Sequence, residues 1–80
     1  KNLVYPEVTK SKGLTGKVIV EFYVGTDGAV TDIKILHALD EYTSNEVIRV
    51  VMLMSGKWLP AEENGKKVKA RVVLSSFEFI

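Results

Sequence analysis

Between Lys17 and Val24 the side chains alternate, with Val18, Val20, Phe22 and Val24 interleaved by Lys17, Ile19, Glu21 and Tyr23. A pleated strand sends successive side chains to opposite faces, so this stretch predicts a strand with one face on a core. Gly25-Thr26-Asp27-Gly28 follows at once and supplies residues tolerant of positive φ, which predicts a reversal into a hairpin. The return strand is expected over residues 29–37. Strict alternation cannot place Val30, Ile33 and Ile35 on one face, because 30 to 33 is an odd step. A bulge near Thr31-Asp32 resolves the conflict.

The other elements follow from punctuation and period. Pro6 suits a helix's first turn and Gly13 its left-handed stop, so a short helix is expected over roughly residues 6–12. Thr43-Ser44-Asn45-Glu46 reads as a capping box. Val47, Val50, Val51 and Met54 recur at i, i+3, i+4 and i+7, so a main helix is expected over 44–55, with Met52, Leu53 and Met54 as core filler. Lys57-Trp58-Leu59-Pro60 should be extended, with Trp58 over one end of the core, and Glu62 to Lys66 is a turn cluster with an Asn-Gly step. The last strand places Val68, Ala70, Val72 and Leu74 inward and Lys67, Lys69, Arg71 and Val73 outward, then continues raggedly through Phe77, Phe79 and Ile80.

The fold class expected is α+β in a single domain over residues 1–80. A three-stranded antiparallel sheet, in the order second, first, third, carries a short N-terminal helix and one main helix packed on one face. The third strand is then an edge. Eighty residues with 46% apolar and 26% charged composition suit one lean core, and a net charge of +1 gives no strong field toward nucleic acid or an anionic membrane. The chain has no cysteine, and its longest apolar run, Val47 to Met54, is interrupted by Arg49 and far short of the ~20 residues that cross a bilayer. Opening at Lys1 without a leader suggests a piece of a longer chain.

Motifs for chemistry are missing from this reading. His37 has no acid or nucleophile placed beside it, Asp27, Asp32 and Asp40 lack metal-loop spacing, and the glycines do not form a phosphate cradle. No enzyme activity, cofactor or metal is expected. Lys66, Lys67, Lys69 and Arg71 make a basic stretch with Tyr23 on the neighbouring strand, but aromatic platforms for bases are sparse. Basic side chains on an edge strand also deter unwanted pairing. An acidic or extended protein partner is the remaining reading, with no nucleic acid.

Tyr5-Pro6, Gly13-Leu14-Thr15-Gly16-Lys17-Val18, Asp27-Gly28-Ala29-Val30 and Ile33-Lys34-Ile35, in that order, resemble the C-terminal domain of the TonB family. Glu46-Val47-Ile48-Arg49-Val50-Val51, Lys57-Trp58-Leu59-Pro60-Ala61 and Asn64-Gly65-Lys66 before a Val-rich basic strand resemble the forms common in Bacteroidetes. Ser55-Gly56 and Ser75-Ser76 depart from the pattern, standing where such sequences usually carry proline.

The resemblance implies a periplasmic domain tethered to the inner membrane through a segment outside these residues. It implies an outer-membrane TonB-dependent transporter as partner, engaged through its TonB box, and inner-membrane proton-driven motor proteins reached through the N-terminal part. The contact residues expected are Lys67, Lys69, Arg71 and Val73, on an edge strand that an extended peptide can join, together with Tyr5 ahead of the short helix. An exposed edge also makes a homodimer by strand pairing an expectation. The alternative function is a TonB-like domain of a membrane sensor or envelope-structural protein that binds another protein.

Overall fold

The structure, a computed structural model, describes residues 3–80. Its elements in chain order are α1 (Glu7–Ser11), β1 (Gly16–Val24), β2 (Val30–His37), α2 (Glu41–Leu53), β3 (Ala61–Glu63), β4 (Lys66–Val68) and β5 (Ala70–Phe79). β2, β1 and β5 form a three-stranded antiparallel sheet in that order, as the crossover through α2 predicts. The alternating face of β1 is the centre of the core: Val18, Val20, Phe22 and Val24 are buried together with Val30, Val47, Val51 and Phe79. Burying a side chain of this kind contributes roughly 1.5–3 kcal/mol, so the central strand carries much of the fold's hydrophobic stabilisation.

The expected bulge in β2 is present. Between Glu21↔Lys34 and Tyr23↔Thr31, β2 advances one residue more than β1, and Asp32 takes φ 55. The extra residue lets Ile33 and Ile35 share the core side with Val30. β5 has a slip of its own between Val20↔Leu74 and Val18↔Phe77. Ser75 and Ser76 absorb it, and Phe77 and Phe79 return to the core face despite the odd step from Leu74.

Three expectations need correction. The main helix starts at Glu41, because the capping box is Asp40 with Thr43 and not Thr43 with Glu46. The Thr43 amide donates to Asp40 Oδ1 at 2.9 Å, and the Asp40 amide donates to Thr43 Oγ1 at 3.2 Å. Glu46 instead accepts from Arg49 and from the Val4 amide. Met52 and Leu53, read as core filler, are 51% and 47% exposed, while Met54 packs on the core. The last strand does not run unbroken from Lys67 in one sheet: Lys66–Val68 pairs with Ala61–Glu63 in a separate hairpin, and β5 begins at Ala70.

The loop after α2 closes the end of the core where β1 turns into β2. The Gly56 amide donates to the Gly28 carbonyl at 2.9 Å, and the Val30 amide donates to Ser55 Oγ at 3.0 Å. Gly28 sits at φ 84, and a Cβ there would lie 2.5 Å from the Trp58 carbonyl oxygen. The Trp58 ring packs on Phe22, with centroids 5.4 Å apart, and so covers this end of the core. Beyond it the β3–β4 hairpin extends the molecule to 49 × 18 × 17 Å, with a radius of gyration of 14.1 Å. A compact chain of this length would give about 12 Å.

Candidate docking edge

Backbone hydrogen bonding decides which groups of β5 are free. The Gly25 amide donates to the Ala29 carbonyl at 2.9 Å, so Gly25 turns its backbone toward β2. In a strand the amide and carbonyl of one residue point the same way, and alternate residues point to opposite neighbours. Tyr23 and Glu21 therefore face β2, while Val24, Phe22 and Val20 face β5. Their partners across β1–β5 are Ala70, Val72 and Leu74. Arg71 and Val73 lie between these and direct their amides and carbonyls away from the sheet, with no strand beyond them among the described residues. Edge groups of this kind are a template for another extended chain.

The side chains of the same residues lie on the face away from α2. Arg71, Val73, Lys67 and Lys69 are exposed, whereas Val72 and Leu74 pack against the core. Arg71 Nε is bonded to Glu21 Oε2 across the sheet. Lys69 Nζ stands 3.4 Å from Asp32 Oδ2 and 4.9 Å from the centre of the Tyr23 ring. The Lys69–Asp32 pair is exposed at both ends and contributes ~0–1 kcal/mol, so it yields readily to a competing carboxylate, whereas Glu21 is largely sheltered beneath Arg71. Val73 is 43% exposed among them.

Of the residues expected to form a contact, Lys69, Arg71 and Val73 stand along one edge, and Lys67 precedes them on β4, opposite Glu62. Tyr5 is elsewhere. Its hydroxyl donates to the Leu14 carbonyl, and its ring meets Phe79 edge-on at 5.5 Å, at the end of β5 that pairs with Gly16. Glu21 pairs with Arg71 and Asp32 with Lys69, a partnership that the sequence pattern does not announce. Their signal was a carboxylate on the outward face of β1 and another at the bulge of β2, legible only once the strand order and the bulge are known.

The far end of the molecule is organised by two carboxylates. Partial desolvation disfavours the ionised form of Asp40, but hydrogen bonds from Thr9 and from the Thr43 backbone and hydroxyl, with the charge of Lys12, outweigh it and hold the carboxyl below the usual range. Hydrogen bonds from Arg49 lower Glu46 against a smaller desolvation effect, helped by the Val4 amide. Thr9, buried, donates to Asp40 Oδ2 at 2.6 Å and ties α1 to the start of α2. Among the described residues no group of His, Asp and Glu side chains is arranged to hold a metal, and no helix is long and apolar enough to cross a membrane.

Comparison with known proteins agrees with this architecture. The family model described as the C-terminal of the Gram-negative bacterial TonB protein matches residues 1–80. Protein TonB of Pseudomonas aeruginosa is 30% identical over 77 residues, covering 95% of this chain. The chain spans 22% of that relative's length. A sheet with one open edge, a helix on one face and a sequence match along the whole chain lead to one statement: this chain belongs to the TonB C-terminal domain family.

Proposed function

We propose that this domain is the periplasmic, partner-gripping end of a TonB-like energy transducer. It receives the TonB box of an outer-membrane TonB-dependent transporter as an added strand along β5. The reading rests on the outward backbone groups of Arg71 and Val73, at the one edge of the main sheet where a straight run is left unpaired. An added strand there gains main-chain bonds worth ~0.5–1.5 kcal/mol net each. Lys69 and Arg71 draw a carboxylate-bearing segment to the edge, and Val73 offers it an apolar contact.

Pulling on a strand held this way loads the ladder bonds together. The edge thus transmits force from inner-membrane proton-driven motor proteins, which would act through a part of the protein outside these residues. The domain itself breaks no covalent bond, and its work is grip and release. The family membership supports a transducer, and the edge geometry supports the mode of contact.

Chemical-shift mapping with a TonB-box peptide tests the reading. Perturbation is expected at the amides of Arg71 and Val73 and at their β1 neighbours. Shifts confined to α2, with β5 silent, would sink it.

A further inference from the structure

The free edge does not stop at the start of β5. Asn64 and Gly65 both have positive φ, 53 and 79, and join Glu63 to Lys66 in a two-residue hairpin turn. Such a turn makes its flanking residues the hydrogen-bonded pair, so Lys66 directs its backbone toward β3. By the two-residue alternation Val68, opposite Ala61, does the same. Ala70, Val72 and Leu74, of the same parity, face β1. β3 and β1 therefore lie on the same side of the segment 66–74, one beyond the other, and among the described residues no strand pairs with the opposite side.

Exposure along the segment agrees. Lys67, Lys69, Arg71 and Val73 are exposed, and Val68, Ala70, Val72 and Leu74 are half-buried, so the pleat passes through the junction without a reversal. No residue from 66 to 74 has positive φ. The open side spans roughly 30 Å at the usual strand rise. Lys66, Lys67, Lys69 and Arg71 lie along it with no acidic residue among them.

We infer that β4 and β5 form one continuous docking edge, and that its occupant is an extended, carboxylate-bearing segment of another protein, hydrogen-bonded at Lys67 and Lys69 as well as at Arg71 and Val73. This rests on the edge-docking reading above and extends it across two sheets. The occupant clamps the β3–β4 hairpin, which otherwise projects from the body, in line with the main sheet. Carboxylates at alternate positions fall on the face shared by Lys67, Lys69 and Arg71, and this spacing is the recognition rule.

Hydrogen exchange on the 80-residue chain, with TonB-box peptides of about nine and about five residues, separates the possibilities. The longer peptide is expected to slow exchange at Lys67, Lys69, Arg71 and Val73 and to bind roughly tenfold more tightly than the shorter one. Lys67→Pro, which removes an outward amide and leaves the β3 ladder its donors, is expected to abolish that gain. Protection at Arg71 and Val73 alone, with equal affinities for the two lengths, overturns the extended edge and leaves the β5 reading standing. No protection anywhere overturns both. Protection of Lys67 and Lys69 that appears without peptide and grows with protein concentration assigns the edge to a second copy and overturns the inference.

Discussion

β2 and β5 flank the same central strand, and each presents one side to solvent, but their open sides are built differently. β2 is interrupted at Asp32 and slips again between Ile35 and His37, and the outward amide of Val30 is already taken by Ser55. β5 runs in register from Ala70 to Leu74 before its slip at Ser75-Ser76, and among the described residues no strand pairs with the far side of Arg71 or Val73. Bulges twist an edge away and leave ladder groups unpaired, which discourages strand addition. One edge is thus closed to pairing and the other open, although each strand carries one cationic side chain, Lys34 on β2 and Arg71 on β5. Backbone parity and register, not composition, set the two edges apart.

The largest test of the contrast sets neighbouring prolines against each other. Val72→Pro removes a donor to β1 and leaves a Phe22 carbonyl unpaired in the core, so a loss of at least about 2 kcal/mol is expected in denaturant unfolding. Val73→Pro removes an outward donor. It should leave stability within ~1 kcal/mol while weakening a TonB-box peptide by ~0.5–1.5 kcal/mol, roughly two- to tenfold, in calorimetry. Equal effects of the two prolines on stability would break the parity argument.

Gly28→Ala acts on the turn that ties β2 to the loop after α2. With φ 84 and the Trp58 carbonyl 2.5 Å from the new Cβ, a destabilisation of about 1–3 kcal/mol is expected in thermal unfolding. Ser55→Ala sharpens the comparison more directly, because it uncaps Val30 on the closed edge. A cost of about 1 kcal/mol is expected, with faster amide exchange at Val30 and more self-association on raising concentration. Unchanged exchange there would mean that Ser55 does not guard that edge.

Acid supplies a control remote from both edges. Asp40 and Glu46 ionise more readily in the folded chain, so their contribution is present above the unfolded carboxylate values and is lost as pH falls through the lower folded ones. Stability should decline across that acidic window, and Asp40→Asn should flatten part of the decline. The junction of α1 and α2 should loosen first in amide exchange. The smallest effect expected is that of Glu21→Gln, which releases Arg71 from a pair exposed at the arginine end only: stability within ~1 kcal/mol, and a TonB-box peptide bound a few-fold more tightly. A weaker complex would show that Glu21 presents Arg71 rather than occupying it.

Much of this was legible before any coordinates. The alternation from Val18 to Val24 fixed the central strand, and the odd step from Val30 to Ile33 forced a bulge where Asp32 supplies one. The helix start was misplaced because two overlapping boxes, Asp40-Thr43 and Thr43-Glu46, satisfy the same local rule. Thr9 arbitrated between them by reaching Asp40 from α1, a partner distant in sequence. The Asn-Gly step announced a turn, but that its arms would pair with each other instead of joining the sheet depends on β1 ending at Val24.

Sequence alone determined the three strands of the main sheet, their buried faces and the family, because periodicity and turn chemistry are local and survive without neighbours. Tertiary structure alone decided which strand edge stays open, which amides point outward from it and which carboxylates hold its cations. These depend on hydrogen-bond parity, handed from Gly25 through β1 to β5, and parity is a relation between strands that no single segment contains.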